Sequence, residues 1–250
     1  MSSAERVRAL VLRAFDYAET SQILHLLTRE QGRVHGIAKG ARRLTGAFHG
    51  GVDSLHLGDA LVYPRRAGSD LRTLGGFSTS THFPGLRESI SRFHGASHVL
   101  ALLLAFTREE EPVPVVFDLA VSTLLLLEAA DDAEAQSVTL GFEAMLLATT
   151  GFFPELTRCV ACGRPAKNVK TTRLSALRGG LVCRNCTAED PRAPHVSGEV
   201  VAALVKLGTG PLAASVNLPT DAALRRGLRD ALDGWTTTVL DRPLRSSRNV

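Results

Sequence analysis

Two pairs of cysteines impose the strongest constraint on how this chain can fold. Cys159-x-x-Cys162 and Cys183-x-x-Cys186 form a C-x2-C-x20-C-x2-C pattern that uses all 4 cysteines of the 250-residue sequence. Four thiolates suit Zn²⁺, a borderline-soft ion that prefers tetrahedral coordination, and a gap of two residues lets each pair hold one edge of the tetrahedron. The spacing therefore predicts one metal centre with Cys159, Cys162, Cys183 and Cys186 as its ligands.

The residues between the two pairs predict a zinc-ribbon-like hairpin. Gly163 follows the first pair, Gly179-Gly180 supply a turn, and Leu181-Val182 can form a strand that leads into the second pair. A closed site of four thiolates leaves no position for water, so the Zn²⁺ is expected to be structural. A redox-active C-x-x-C motif or an iron–sulfur cluster is the alternative interpretation of the same cysteines.

The first 82 residues show the pattern of short strands separated by turns. Five such strands predict a small barrel or sandwich, and the OB-fold is the leading five-stranded candidate. The predicted strands are Val7–Phe15, Ser21–Thr28, Arg33–Lys39, Gly58–Tyr63 and Arg72–Phe77. In the first strand, the period of two predicts one shared face for Val7, Ala9, Val11, Arg13 and Phe15.

Helical periodicity replaces the strand pattern after Pro84. Asp132 is the expected N-cap of the third predicted helix, and Gly151 is well placed to end it. The predicted helices are Ile90–Phe106, Val115–Ala130, Ala133–Thr149, Ser197–Leu207 and Thr220–Leu240. One face of the first helix is expected to contain Ile90, Phe93, Ser97, Leu100 and Ala101.

These elements predict an α+β protein with four parts. We expect an OB-fold nucleic-acid-binding domain at 1–82 and a helical domain at 83–150. A four-cysteine zinc-binding element follows at 151–195, and C-terminal helices at 196–250 are expected to pack on the helical domain.

The distribution of charge favours different partners for different parts of the chain. The net charge of +4 is the sum of +4 for residues 1–82, −7 for 83–150, +4 for 151–190 and +3 for 191–250. A basic start and a basic cysteine segment around an acidic middle are typical of modules with separate partners, although solubility alone is the simpler explanation of such a bias.

Basic clusters in the strand-rich part predict a nucleic-acid surface. The candidate DNA-binding residues are Arg33, Lys39, Arg42, Arg43, Arg65 and Arg66, and Phe15, Tyr17, Phe48, Tyr63 and Phe77 lie among them. Basic grooves with interleaved rings are how OB-folds hold single-stranded nucleic acid. The alternative is that the rings fill the barrel and the arginines are only solvated. Lys167, Lys170, Arg173 and Arg178 on the hairpin, and Arg225 with Arg229 on a helix, either extend this surface or solvate it.

Signatures of catalysis are absent from the sequence. It contains no G-x4-G-K-[ST], no H-E-x-x-H and no H-x-E of zinc deaminases, so no catalytic residue and no cofactor besides zinc is predicted. Gly208–Ala213 fits G-x-G-x-x-A formally, but it follows a predicted helix and is interpreted as a loop. The polar start and the lack of about 20 consecutive apolar residues favour a cytoplasmic, nucleoid-associated protein without a membrane segment.

Several stretches together resemble the RecO family of bacterial recombination mediators. They are Leu12–Ser21, Leu27–Arg33, Ala38–Arg43, Gly151–Leu156 and Gly179–Val182, the last two leading into the two cysteine pairs. The resemblance implies an N-terminal OB-fold, a helical middle and a zinc element in the C-terminal half. It carries metal binding over to the four cysteines, and among the basic residues Lys39, Arg42 and Arg43 are the best placed for DNA.

The same resemblance implies a function without catalysis. Members of the family bind single-stranded and double-stranded DNA, anneal complementary strands without ATP, and work with RecR to load RecA on DNA coated by single-stranded-DNA-binding protein. Two other hypotheses stay open from the residues alone. One is a protein-interaction adaptor with a structural zinc, which would use the acidic middle, and the other is an enzyme that processes nucleic acid.

Overall fold

The computed structural model describes residues 3–166, 170–218 and 221–244. The chain divides into two compact units, one formed by Met1–Glu88 with Leu102–Glu128 and the other by Ser89–Ala101 with Ala129–Val250. The segment 83–150, predicted as one helical domain, is therefore shared between the two units.

Five strands of the first unit close into a barrel. They are β1 (Glu5–Tyr17), β2 (Ser21–Thr28), β3 (Gly32–Ala38), β4 (Leu57–Val62) and β5 (Arg72–Thr81). Their order around the barrel is β1-β2-β3-β5-β4. The β3–β5 pair is parallel and the other pairs are antiparallel. This closed five-stranded barrel, followed by helices, confirms the predicted α+β class and its OB-fold start.

Apolar side chains on the inner positions of the strands form the barrel core. Leu24 and Leu26 alternate with outer positions on β2, because successive side chains of a strand point to opposite faces. Phe48 from the loop after β3 and Phe77 from β5 are only 5% and 2% exposed and complete this core. Burial of a phenylalanine of this kind stabilises the fold by about 1.5–3 kcal/mol. Two of the five rings considered for nucleic-acid stacking thus have a structural role.

A bulge in β1 overturns the predicted single face of that strand. The pairing with β2 jumps from Val11 opposite Leu26 to Arg13 opposite His25, so Leu12 is an extra residue. One inserted residue moves every later side chain to the other face. Val11 therefore points into the core, whereas Arg13 and Phe15 point outward, and Phe15 is 45% exposed.

Two helices follow the barrel, α1 (Ile90–Phe106) and α2 (Pro114–Ala129). The predicted face of α1 is wrong at its start, because Ile90 and Phe93 are 76% and 44% exposed. A stripe with the same spacing, Ala96, Val99 and Leu103, is fully buried instead. Periodicity does not distinguish two stripes of equal spacing, and the packing around α1 decides between them.

The third helix, α3 (Asp132–Thr149), begins one residue earlier than predicted. Its N-cap is Asp131 and not Asp132, because the Asp131 side chain accepts hydrogen bonds from the Ala133 and Glu134 N–H groups. The Glu134 carboxylate in turn accepts one from the Asp131 N–H. This capping box satisfies two sets of backbone donors at once. Gly151 follows the helix with a φ of 79°, which confirms its predicted role at the C-terminus.

The rest of the second unit contains a small sheet and two helices. The sheet has the order β7-β6-β8 and consists of β6 (Thr171–Ser175), β7 (Gly180–Val182) and β8 (His195–Ser197). The helices α4 (Gly198–Thr209) and α5 (Ala222–Leu240) pack on α3. Gly208 belongs to α4 and not to a loop. A Cβ at Gly208 would stand 2.4 Å from the Phe153 ring, so the close approach of that ring requires a glycine. Among the helices in the described parts of the chain, none combines the length and apolar character that a membrane crossing requires.

Candidate functional site

The four cysteine sulfurs meet at one point of the second unit. All four Sγ atoms lie within 4.8 Å of one another, and the Sγ atoms of Cys162 and Cys183 are 3.7 Å apart. A regular tetrahedron with metal–sulfur bonds of about 2.3 Å has edges of about 3.8 Å. A disulfide would need about 2.05 Å. The spacing of the sulfurs therefore fits four ligands of one metal ion.

Short turns and β7 position these sulfurs. The Gly163 N–H donates to the Cys159 carbonyl at 2.9 Å, and the Cys186 N–H donates to the Cys183 carbonyl at 2.9 Å, so each cysteine pair closes a tight turn. Gly163 has a φ of 73°, which a residue with a side chain rarely adopts. β7 ends at Val182 and delivers Cys183 directly to the site.

The close approach of the four sulfurs changes the pKa of two of the thiols. Burial raises the pKa of Cys159, but N–H groups of Cys183, Cys162 and Ala161 donate to its sulfur and together bring the pKa down to about 6. Hydrogen bonds with Cys183 and Cys162, with burial, raise the pKa of Cys186 to about 12. Adjacent sulfurs share protons in this way because ionised thiolates repel one another, and a bound cation would take the place of those protons.

Three of the six predicted DNA-binding residues form a cluster of exposed cations after β3. Lys39 follows the last residue of that strand, and Arg42 and Arg43 stand in the loop beyond it. Arg42 makes an exposed ion pair with Asp16 at 3.2 Å. Exposed cations on a short loop segment are suited to contact phosphates.

The other three predicted residues have different surroundings. The Arg33 side chain is half-buried and donates to the Leu104 carbonyl at 2.9 Å, and burial lowers its pKa while Glu109 opposes that shift. Arg65 pairs with Glu109 at 3.4 Å and with Glu110 at 3.3 Å. Arg66 is exposed. The structure thus keeps Lys39, Arg42 and Arg43 together, and it places Arg33 against a backbone carbonyl and Arg65 against two carboxylates.

An acidic segment, Glu109–Glu111, lies along β3 and accounts for this separation. The Arg33 N–H donates to the Arg108 carbonyl and the Glu110 N–H donates to the Arg33 carbonyl, each at 3.1 Å. Glu109 also contacts His35 at 2.9 Å, and Glu110 contacts Arg72 at 2.8 Å. No local signal in the sequence connects this run of glutamates with β3.

Aromatic and imidazole rings form a row on the outer face of the barrel. The Phe15 and His25 rings meet in a T-shaped contact with centroids 5.3 Å apart, and His25 stacks on His35 at 3.9 Å with an angle of 20° between the rings. Tyr17 and Tyr63 are also on the surface, 52% and 42% exposed. The sequence patterns did not indicate that His25 and His35 lie side by side, because their pairing depends on the register of β2 with β3.

Burial, followed by the charges of His35 and Arg13, lowers the pKa of His25 to about 4. Burial also lowers the pKa of His35, although Glu109 opposes that shift. Both shifts favour the neutral imidazole, and each ring covers one face of the other.

The basic residues that the sequence singled out in the second unit have mixed surroundings. Arg178 pairs with Glu189 at 3.0 Å, and Arg173 donates to two backbone carbonyls. Lys170 is exposed, and Arg225 and Arg229 are half-buried on α5. Lys167 and the basic residues beyond 244 lie outside the described residues.

The fold and the sites together define a class of protein in which an OB-type barrel with an outer row of rings is followed by helices and a four-cysteine centre. The sequence model described as Recombination protein O N terminal matches residues 1–83, and the model described as Recombination protein O C terminal matches residues 87–248. The chain therefore belongs to the recombination protein O family.

Similar curated proteins agree with this assignment. The DNA repair protein RecO of Anaeromyxobacter dehalogenans strain 2CP-C is 34% identical over 243 residues, which cover 97% of this chain and 94% of the relative. The protein of the same name from Desulforudis audaxviator is 33% identical over 241 residues, covering 96% and 94%. The one from Rhodopirellula baltica is 31% identical over 204 residues, covering 81% and 74%.

Proposed function

We propose that this protein binds single-stranded and double-stranded DNA through the outer face of its barrel and acts in DNA repair and homologous recombination without catalysing a reaction. The observation that carries the proposal is the row of Phe15, His25 and His35 on an OB-fold, next to the exposed cations that begin at Lys39. The similar curated proteins are named DNA repair proteins, which supports the same role.

The two sets of residues divide the contacts with a nucleic-acid strand. A base stacked on an exposed ring such as Phe15 contributes about 1–3 kcal/mol, whatever its sequence. Lys39 and Arg43 neutralise phosphates, and counterion release then makes the binding depend steeply on salt. Arg42 can exchange Asp16 for a phosphate at little cost, because a surface ion pair is worth about 0–1 kcal/mol.

The register of the barrel brings these sets side by side. Phe15 pairs with Ile23 on β2, and Ile23 pairs with Ile37 on β3. Lys39 stands two residues beyond Ile37, so the chain carries the cations to the end of the row of rings. At the other end, Glu109 contacts His35 and would repel phosphates. A strand is therefore expected to follow the row towards Lys39 and away from the acidic segment.

Binding of this kind explains annealing without ATP. Neutralised phosphates on two strands repel each other less, so complementary bases meet more often, and no chemical step is needed. We extend the proposal to cooperation with RecR, and to RecA loading on DNA covered by single-stranded-DNA-binding protein, on the resemblance described above. Annealing of two labelled complementary oligonucleotides without nucleotide should be faster with the protein than without it.

The four cysteines are proposed to hold a structural Zn²⁺. Cys159, Cys162, Cys183 and Cys186 supply a closed set of sulfur donors, which zinc prefers and which leaves no open position for substrate. The ion would hold the turns of the two pairs together, and binding would be coupled to folding of this element. Its expected contribution is to stability and not to a reaction.

A salt titration with matched variants tests DNA binding by the barrel. Binding of labelled oligo(dT) is measured by fluorescence anisotropy against KCl for the wild type and for Lys39→Gln with Arg43→Gln. The loss of two phosphate contacts makes the negative slope of log K against log [KCl] shallower by about 1.4. Lys206→Gln with Arg226→Gln removes the same charge from exposed positions of α4 and α5 and is the control. Equal slopes in the two variants would reject the barrel face, and no binding by the wild type would favour the adaptor hypothesis.

A further inference from the structure

The small sheet of the second unit presents a basic face that the proposal above does not use. Arg173 on β6 pairs with Val182 on β7 and with His195 on β8. Directly paired residues point to the same side of a sheet, and Thr171, two residues before Arg173, shares that side. These residues, together with Arg184 and Thr187, line an open cleft of about 450 Å³.

The side chains of this cleft give it a positive charge. Among the described residues, its lining contains two arginines and no carboxylate. The three acidic residues of the segment 151–190 are held elsewhere. Glu155 accepts hydrogen bonds from Thr157 and Arg158, Glu189 pairs with Arg178, and Asp190 accepts one from Ser175.

Arg173 is fixed without being neutralised. Its Nη1 donates to the carbonyls of Pro191 at 2.7 Å and Ala193 at 3.0 Å, and carbonyls carry no net charge. Its Nε is buried and has no hydrogen-bond partner within the described residues. Arg184 is exposed at the rim, so the cleft combines one immobilised guanidinium with one that can move to a ligand.

We propose that this cleft is a second phosphate-binding site, which holds the backbone of a nucleic-acid strand. Guanidinium groups, an imidazole and hydroxyls are the donors that recognise phosphodiesters, whereas the described lining includes no aromatic residue other than His195 on which a base could stack. The inference rests on the proposed DNA binding and adds to it. Each unit of the chain then has its own contact with phosphates.

Two matched variants test the site in the full-length protein. Arg184→Gln removes a charge from the cleft, and Arg178→Gln removes the same charge from a residue of the same element that pairs with Glu189. With labelled oligo(dT), Arg184→Gln is expected to make the negative slope of log K against log [KCl] shallower by about 0.7, while Arg178→Gln keeps the wild-type slope. Zinc content of both proteins is measured as well, because Arg184 adjoins Cys183. Equal slopes at equal zinc content would overturn the proposal.

A second measurement identifies the occupant of the cleft. Amide NMR spectra of the wild type are recorded during titration with an eight-residue oligo(dT), with inorganic phosphate and with an octaglutamate peptide. Shifts at Thr171, Arg173 and His195 with the oligonucleotide are expected. Shifts with phosphate alone would indicate a site for free anions, and shifts with the peptide alone would indicate a protein partner, and either result would overturn the proposal. A normal effect of Lys39→Gln with Arg43→Gln in the same assays would show that only this second site had failed.

Discussion

The acidic segment Glu109–Glu111 offers a prediction in which affinity for DNA rises. Glu109 and Glu110 form ion pairs with Arg65, and Glu110 also forms one with Arg72. A hydrogen bond from Arg72 and the charge of Arg65 lower the pKa of Glu110 despite some burial, so the carboxylate is ionised near pH 7. The double variant Glu109→Gln with Glu110→Gln should free Arg65 for phosphates, whereas Arg72 stays half-buried with its Nη1 donating to Gln31 at 2.7 Å.

The expected magnitude follows from the number of arginines released. Each new phosphate contact with a single strand makes the slope of log K against log [salt] more negative by about 0.7, so the release of Arg65 alone is expected to change it by about that amount. The fold should survive, because exposed ion pairs contribute about 0–1 kcal/mol each. The slope is measured by anisotropy of labelled oligo(dT) between about 50 and 200 mM KCl, a range in which such contacts change affinity strongly.

A control of equal charge separates this effect from net charge alone. Glu111→Gln with Asp230→Asn also removes two negative charges, but neither carboxylate belongs to the ion pairs with Arg65 or Arg72. Its slope should stay near that of the wild type. If both double variants steepened the slope equally, or neither did, the interpretation of the acidic segment as the boundary of the DNA surface would be refuted.

Four further predictions concern single residues. Cys159→Ser should lose bound zinc and melt at a lower temperature, as seen by elemental analysis and thermal unfolding, because metal binding is coupled to folding. Phe15→Ala should weaken oligo(dT) binding by about 1–3 kcal/mol with unchanged stability, whereas Phe77→Ala should cost about 3–5 kcal/mol of stability. Gly32→Ala should destabilise the first unit, because Gly32 has a φ of 70° and a Cβ there would stand 2.3 Å from the Glu111 carbonyl oxygen. The wild type should lose stability as pH falls from about 6.5 to about 4, and His25→Gln should lose less. Burial, His35 and Arg13 lower the pKa of His25 to about 4 in the folded protein, so the unfolded chain takes up the proton at a higher pH than the folded protein does.

Each of these has an outcome that contradicts it. A metal-free wild type that melts at the same temperature as Cys159→Ser would argue against a structural ion. Equal DNA affinity of Phe15→Ala and the wild type would remove the ring from the binding surface. An unchanged melting temperature for Gly32→Ala would show that the acidic segment is not fixed against β3. Parallel stability curves of the wild type and His25→Gln between pH 4 and 7 would reject the role given to burial.

Local patterns were sufficient to predict the barrel and the cysteine cluster. Alternation of apolar and polar residues between turns indicates the strands of the barrel, and a spacing that few other structures use indicates the metal-binding cysteine pairs. Gly151 was placed correctly because a positive φ after a helix is a local requirement. In each case the signal and its structural consequence lie within a few neighbouring residues.

Features that depend on register or on distant contacts could not be predicted. The bulge at Leu12 moves Phe15 from the core to the surface, and the residue pattern of β1 does not indicate this bulge. The stack of His25 on His35 depends on the pairing of two strands. The contact of Glu109 with His35 joins residues far apart in the sequence, so the division of the arginines into free and neutralised groups appears only in the folded chain.

Photochemical crosslinking tests the central claim, that a DNA strand lies on the outer row of rings, most directly. Oligo(dT) with 5-iodouracil in place of single thymines is irradiated on the full-length protein, and the crosslinked peptides are identified by mass spectrometry. Since 5-iodouracil reacts with rings stacked on it, crosslinks to Phe15, Tyr17 or Tyr63 are expected, and they should disappear when salt releases the DNA. Crosslinks confined to the second unit, with none on these three exposed rings, would contradict the account.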